Sequence, residues 1–289
     1  MGMVKLTYVA VIALATARAL AVEPIVVGIW EGEKKPYDRV TGPERIQNAD
    51  SPNGWWCPFV TDVSDPQMFV YRAPAKGVRP CVVVCPGGGY NALSIDLEGH
   101  EIAHWLNRFG YAAAVLKYRV PGNREGALAD AQRAFKLIRM HADEWRIDPK
   151  HVGVIGFSAG ANLAAKVSTA KAEPECRPDF TMLIYCWDLV ERDSEGKKPT
   201  LTLQKGYPVD STTPPAFIVH TQNDPGAPVE NALGYFAALR RAGVLSELHV
   251  FPVGGRGGHG YGIRTTYGGE QTEWPRLALD WLGRECNRR

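Results

Sequence analysis

His151-Val-Gly-Val-Ile-Gly-Phe157, Ser158 and Ala159-Gly-Ala-Asn-Leu-Ala-Ala-Lys-Val167 follow one another without a break in the sequence. The first run predicts a short buried strand, and the last predicts a helix of small residues that can pack closely on a sheet. Their junction, residues 156–160, has the pattern G-x-S-x-G. A strand, a sharp turn held by two glycines and then a helix form a nucleophile elbow. We therefore expect the Ser158 hydroxyl to leave the sheet above a helix N-terminus, which favours developing negative charge.

Outside this stretch, short apolar runs alternate with amphipathic segments along the 289 residues. The alternation predicts an α/β fold with a mostly parallel central sheet and helices on both faces. The predicted strands are residues 68–72, 81–85, 112–118, 152–157, 181–186, 216–221 and 247–251, and the predicted helices are residues 100–108, 127–145, 159–169, 229–242 and 274–285. Residues 31–66 are expected to form an arm over the sheet. The connection 188–214 has little apolar periodicity, which predicts a minimal lid and an open site.

The first 21 residues have the pattern of a secretory signal peptide. Lys5 precedes an uncharged run at residues 6–17, and Arg18 is followed by Ala19-Leu-Ala21, an A-x-A cleavage pattern. The run is short for a membrane span, although a retained anchor is the alternative. The sequence thus predicts a signal peptide at residues 1–21, one folded domain at residues 22–289, and a secreted or periplasmic protein with no stable membrane association after cleavage.

The charge balance of the chain and its cysteines limit which partners and which disulfide or metal sites are expected. The chain has 33 Lys and Arg against 31 Asp and Glu, and it has no basic run, so we expect no nucleic-acid partner. Export would allow disulfides among the six cysteines, but their pairing stays open. Cys81 and Cys85 lie about 13 Å apart on one predicted strand, too far to bridge, and Cys85 and Cys186 are expected to be buried free thiols. No C-x-x-C motif is present, and no metal site is predicted.

A serine nucleophile needs a histidine to accept its proton and a carboxylate to orient that histidine. On this type of sheet the chain order is Ser, then Asp or Glu, then His. Among seven histidines, only His259 lies in a loop after the last predicted strand, within a glycine-rich segment at residues 254–262. Its neighbouring glycines allow the backbone to bring the imidazole back to the sheet edge. The alternative is a structural histidine in a flexible loop.

Asp224 is the predicted acid, because it directly follows the strand at residues 216–221. An ordinary turn residue is the alternative, since Asp224-Pro-Gly226 is also a common turn sequence. Asp188, which follows the preceding predicted strand, is the rival acid.

The oxyanion of a tetrahedral intermediate needs hydrogen-bond donors. The strand at residues 81–85 ends in Pro86-Gly-Gly-Gly89, where an oxyanion loop is expected. The N–H groups of Gly88, Gly89 and Ala159 are the predicted donors. No Lys-Ser or Lys-Thr follows these glycines, which excludes a phosphate-binding P-loop.

Several segments together resemble one family of bacterial enzymes. They are Cys85-Pro-Gly-Gly-Gly-Tyr90, Glu98-Gly-His-Glu101, Leu116-Lys-Tyr-Arg-Val-Pro121, Asp130-Ala-Gln-Arg-Ala134, Gly156-Phe-Ser-Ala-Gly160, Pro214-Pro-Ala-Phe-Ile-Val-His220, Pro228-Val-Glu-Asn231 and Gly258-His-Gly-Tyr-Gly262. The chain resembles the α/β-hydrolase esterases related to acetylxylan and feruloyl esterases and to the hormone-sensitive-lipase branch. The resemblance implies a serine esterase that removes acetyl or feruloyl groups from plant polysaccharide without a cofactor. It departs from many relatives at Ala161-Asn162, where they have Gly-His, and in the short connection after Cys186.

Tyr90, Asn162 and Tyr261 are the predicted substrate contacts, and Trp55 and Trp56 are further aromatic candidates, since aromatic faces suit sugar rings or ferulate. Two other functions remain open at this point. The first is a peptidase or lactone hydrolase with the same triad, because a fold does not determine its substrate. The second is a catalytically silent binding protein on the same scaffold.

Overall fold

The computed structural model describes residues 23–39, 41–48 and 58–287. The predicted signal peptide, Trp55, Trp56 and Cys57 lie outside these residues. The strands are β1 (Ile25–Gly28), β2 (Arg45–Asn48), β3 (Pro58–Thr61), β4 (Gln67–Tyr71), β5 (Arg79–Cys85), β6 (Ala112–Lys117), β7 (Ile147–Phe157), β8 (Thr181–Ile184), β9 (Val190–Arg192), β10 (Pro199–Leu203), β11 (Ala216–Thr221) and β12 (Ser246–Phe251). The helices are α1 (Glu101–Arg108), α2 (Arg124–Met140), α3 (Ala142–Trp145), α4 (Ala159–Thr169), α5 (Glu230–Arg241) and α6 (Trp274–Glu285), with a π-helical turn, Asp96–His100, directly before α1.

Eight strands form the central sheet in the order β1-β4-β6-β5-β7-β8-β11-β12. The β1–β4 and β4–β6 pairs are antiparallel, and the remaining pairs are parallel. The inner strands β6, β8 and β11 are buried along their whole length, as expected when helices cover both faces of a parallel sheet. The carboxyl ends of β5, β7 and β11 therefore meet at one edge, where the connecting loops can converge.

The predicted strands and helices are confirmed, with differences at their ends. The predicted helix 127–145 begins earlier, at Arg124, because Asn123 caps it by accepting a hydrogen bond from the Gly126 N–H. It is interrupted after Met140, and the short α3 that follows ends at Trp145, before Arg146, whose φ is 57°. The strand β7 begins at Ile147 rather than residue 152.

The arm expected at residues 31–66 packs on the sheet where the structure describes it. The strand β3 bridges to the oxyanion-loop segment through Val60 and Leu93. Arg119, buried in an ion pair with Asp130, also donates to the Pro36 carbonyl. The strands β1, β2 and β3 are not among the predicted strands; each is only four residues long.

The connection 188–214 contains the antiparallel pair β9–β10, which its low apolar periodicity did not predict. This hairpin packs on α5: a Cβ placed on Gly234 would lie 2.5 Å from Val190 and 3.1 Å from the Leu201 carbonyl oxygen. A short hairpin held against a helix agrees with the expectation of a minimal lid.

The five cysteines in the described part of the chain are free, and Cys81, Cys85 and Cys186 are buried. The prediction of free thiols at Cys85 and Cys186 is confirmed. No helix within the described residues combines the length and hydropathy that a bilayer span requires.

Candidate active site

The junction of β7 and α4 has the sharp geometry of an elbow. Ser158 has φ 52° and ψ −118°, which is a strained conformation for a residue with a side chain. The two flanking glycines permit the close packing around it. A Cβ on Gly156 would lie 2.2 Å from the Gly160 carbonyl oxygen, and one on Gly160 would lie 2.0 Å from the Cys85 carbonyl oxygen. Any larger residue at either position would force the elbow apart.

The structure brings the three predicted triad residues together in one chain of hydrogen bonds. The Ser158 Oγ is 2.9 Å from His259 Nε2, and His259 Nδ1 is 2.7 Å from Asp224 Oδ2. These contacts span 101 and 35 residues of sequence respectively, so they depend on the fold. A hydroxyl, an imidazole and a carboxylate in this order can transfer the serine proton to the imidazole.

The environment of Asp224 keeps its carboxylate ionised. Burial raises the pKa of Asp224, but hydrogen bonds from His220 and His259 outweigh burial and lower the pKa to about 2. The other oxygen, Oδ1, accepts hydrogen bonds of 2.8 Å from the N–H groups of Gly226 and Ala227. A carboxylate held from both sides has a fixed orientation, and it fixes His259 with Nδ1–H toward the acid.

The loop after β5 contains the predicted oxyanion donors. Gly88 has φ 131° and Gly89 has φ 66°, and a Cβ on Gly88 would lie 2.0 Å from the Ala92 carbonyl oxygen. Within the described residues, no acceptor is found for the N–H of either glycine. Ala159 is the first residue of α4, so its N–H has no partner inside the helix. Three N–H groups near Ser158 are thus available to an oxyanion.

A cavity of about 200 Å³ opens at Ser158. It is lined by Phe59, Gly88, Gly89, Ser94, Leu97, Glu98, Ser158, His259 and Gly260. Nucleophile, base and oxyanion loop therefore face one space, with Phe59 and Leu97 as its large apolar walls.

The predicted substrate contacts lie elsewhere. Tyr261 is 2 % exposed and packs on the Tyr185 ring, and Asn162 is 2 % exposed. The Asn162 amide accepts a hydrogen bond from the Tyr90 hydroxyl and donates to the carbonyls of Trp187 and Asp188. None of Tyr90, Asn162 and Tyr261 lines the cavity at Ser158. Tyr90 and Asn162 line a second cavity of about 280 Å³, and the role of all three residues as substrate contacts stays a prediction.

Asp188, the rival acid, has other partners than His259. Its carboxylate forms an ion pair with Arg124 at 2.9 Å and accepts a hydrogen bond from the Gln204 amide at 3.1 Å.

Sequence patterns do not identify two further residues at the site, His220 and Glu98. His220 is fully buried, with Nε2 2.7 Å from the Ala227 carbonyl oxygen and 3.5 Å from Asp224 Oδ2. Its position inside a predicted strand gives no signal of a functional histidine. Glu98 is buried on the π-helical turn and lines the cavity. Its signal in the sequence, a charged residue between the oxyanion loop and the first helix, did not differ from that of a surface residue.

Two family models and several curated proteins match the sequence of this chain. A family model described as BD-FAE matches residues 68–184, and the prolyl oligopeptidase family model matches residues 178–289. An acetylxylan esterase of Xylanibacter ruminicola is 35% identical over 231 residues, which cover 72% of this chain and 47% of that protein. The endo-1,4-β-xylanase B of Butyrivibrio fibrisolvens is 31% identical over 225 residues, which cover 68% of this chain and 34% of that protein. The chain thus spans less than half the length of both curated relatives.

A solved structure matches over nearly its whole length. The acetyl ester-xyloside bifunctional hydrolase from Caldicellulosiruptor lactoaceticus superposes with a TM-score of 0.70 at 31% identity. The match covers 92% of this chain and 98% of that one.

Proposed function

The chain belongs to the α/β-hydrolase esterases, and from this premise we propose that it is a serine esterase that removes acyl groups from carbohydrate. One observation carries the proposal: Ser158 Oγ, His259 and Asp224 form a continuous chain of hydrogen bonds at the mouth of a cavity. The family membership is shown, whereas the roles of these residues and the class of substrate are proposed.

In the proposed acylation step, His259 Nε2 accepts the Ser158 proton as Oγ attacks the ester carbonyl carbon. Asp224, ionised at neutral pH, stabilises the imidazolium that forms. The carbonyl oxygen gains negative charge and accepts hydrogen bonds from the N–H groups of Gly88, Gly89 and Ala159. The tetrahedral intermediate then collapses, and the alcohol leaves with the proton from His259, which produces an acyl-Ser158 ester.

Deacylation repeats these roles with water. His259 accepts a proton from a water molecule, which attacks the acyl carbonyl, and the same N–H groups bind the second oxyanion. Collapse releases the carboxylic acid and returns the proton to Ser158 Oγ. Protein side chains, backbone N–H groups and water supply every atom and proton in the cycle.

The proposed substrate is an acetyl or feruloyl ester on plant polysaccharide or oligosaccharide. Support for acetyl comes from the acetylxylan esterase and from the acetyl ester-xyloside hydrolase named above, both more than 30% identical to this chain. Feruloyl esters were equally expected from the sequence, and the same experiment distinguishes them.

The test measures acetate released from acetylated xylan and ferulate released from feruloylated arabinoxylan by wild type, Ser158→Ala and Ser211→Ala. Ser211 is exposed and outside the cavity, so Ser211→Ala is the matched control. We expect acid release by wild type and Ser211→Ala and none by Ser158→Ala. Hydrolysis of p-nitrophenyl acetate alone would keep the triad but contradict the carbohydrate substrate.

A peptidase is the second candidate, because the prolyl oligopeptidase family model covers residues 178–289, which contain both Asp224 and His259. Peptidyl p-nitroanilides assayed beside the esters distinguish the two. Turnover of the anilide at a kcat/KM equal to that of the ester would favour the peptidase.

Export is proposed on the pattern of residues 1–21 alone. N-terminal sequencing of protein recovered from a bacterial periplasm or medium tests it. The expected mature chain begins at Val22, and an intact Met1 on exported or retained protein would contradict cleavage.

A further inference from the structure

Glu98 is a buried carboxylate with no role in the triad. It lies on the π-helical turn Asp96–His100, is 4 % exposed, and lines the cavity with Ser158 and His259. Such single π-helical turns occur frequently at functional sites. A buried acid needs donors to offset its loss of hydration, so its partners indicate what it does.

One oxygen of Glu98 holds the oxyanion loop. Glu98 Oε2 accepts a 2.8 Å hydrogen bond from the Gly87 N–H, next to the predicted donors Gly88 and Gly89. The contact leaves no spare space. A Cβ on Gly87 would lie 2.6 Å from Glu98 Oε2 and 2.9 Å from Ser158 Cβ. The backbone of the loop is therefore confined between Glu98 and the elbow.

The other oxygen holds the loop of His259 through one intermediary. Glu98 Oε1 accepts a 2.7 Å hydrogen bond from the Tyr185 hydroxyl. That hydroxyl in turn accepts a 3.2 Å hydrogen bond from the Gly262 N–H, so its single proton is directed to Glu98. The Tyr185 ring also packs on His259, with ring centroids 4.9 Å apart.

From these contacts we propose that Glu98 is a positioning residue that sets the oxyanion loop and, through Tyr185, the His259 loop relative to Ser158. The proposal rests on the proposed esterase function. Both oxygens accept from directed donors, which matches the ionised carboxylate. Burial raises the pKa of Glu98, while Tyr185, the charge of His259 and the Gly87 N–H oppose this rise.

The test compares Glu98→Ala, Glu98→Gln and Tyr185→Phe by kcat and KM on p-nitrophenyl acetate, and by thermal unfolding. Glu98→Gln keeps the side-chain size and an acceptor for Gly87, but its amide offers the Tyr185 proton no acceptor. Tyr235→Phe is the matched control for Tyr185→Phe, because the buried Tyr235 hydroxyl has no hydrogen-bond partner among the described residues.

We expect kcat to fall about 100-fold in Glu98→Ala, the scale of losing an oxyanion donor, and about 10-fold in Glu98→Gln and Tyr185→Phe, with KM changed less than about twofold. A boronic acid that forms a tetrahedral adduct with serine should lose affinity in proportion to kcat, a change that a purely structural role would not produce. Partial rescue of the alanine defect by glutamine is a further expected result.

Values of kcat for Glu98→Gln and Tyr185→Phe within about twofold of Tyr235→Phe would overturn the positioning role while leaving the esterase intact. A wild type without ester hydrolysis would overturn the proposed function and this role together. If Glu98→Ala fails to fold, the glutamine and phenylalanine variants still decide the outcome.

Discussion

Two regions that border Ser158 each contain a buried carboxylate, and the pKa values of these two carboxylates shift in opposite directions. The loop after β11 surrounds Asp224 with two backbone N–H groups and two imidazoles. The π-helical turn gives Glu98 one N–H and one phenol. Burial disfavours ionisation in both, but the pKa falls to about 2 at Asp224 and rises at Glu98. The donors around Asp224 thus outweigh its burial, whereas the donors around Glu98 do not.

The largest expected effect comes from removing the charge of Asp224. We expect Asp224→Asn to lower kcat about 10,000-fold, because the imidazole loses both its orientation and the charge that stabilises it. Asp188→Asn is the matched control, since Asp188 pairs with Arg124 away from His259. Equal losses in the two variants, measured with p-nitrophenyl acetate, would contradict the assignment of the acid.

The next effect concerns the loop that Glu98 holds. Gly88→Ala should lower kcat about 100- to 1,000-fold, because φ 131° and the 2.0 Å approach to Ala92 force the loop to move its donors. Gly110→Ala is the control, because Gly110 has φ 84°, no atom within 4 Å of a Cβ placed on it, and no part in the cavity lining. A fully active Gly88→Ala enzyme would remove this loop from the oxyanion site.

A smaller effect is expected at His220, which supports Asp224 from the strand β11. His220→Phe removes a buried donor to the acid loop, so kcat should fall about 10-fold and thermal stability should fall with it. His249→Phe provides the control, because His249 on the neighbouring strand pairs with Glu247. Unchanged kcat in His220→Phe would show that the backbone N–H groups and His259 suffice to orient Asp224.

The smallest effect is a difference in the pH dependence of stability. The pKa of Asp224 falls from 3.8 to about 2, so its ionisation stabilises the fold above about pH 4 and this contribution is lost as the pH falls toward 2. The pKa of Glu98 rises from 4.5, so its ionisation opposes folding as the pH rises above that value. Urea unfolding at about pH 3 to 7 should show the stability advantage of wild type growing with pH against Asp224→Asn and shrinking with pH against Glu98→Gln. Changes of the same sign in both would contradict the comparison.

The same two regions show what sequence can predict. Asp224 and His259 could be predicted because each lies in a loop after a predicted strand, in the chain order that follows the nucleophile elbow. Glu98 and His220 were not, because a charged residue near a helix and a histidine in a strand differ from surface and core residues only by their three-dimensional partners. Tyr261 and Asn162 show the converse limit, because their polar groups suggest substrate contacts in the sequence, whereas the fold leaves each of them only 2 % exposed. The hairpin β9–β10 was missed because its exposed strands have no apolar run.

The central claim, that Ser158 is the nucleophile of this site, is tested most directly by a fluorophosphonate that reacts covalently with activated serines. Intact mass and peptide mapping after labelling should show one adduct, on the peptide that contains Ser158, in wild type and Tyr235→Phe. Ser158→Ala should show none, and Asp224→Asn should label far more slowly. An unlabelled wild-type protein, or an adduct on a different residue, would contradict the account.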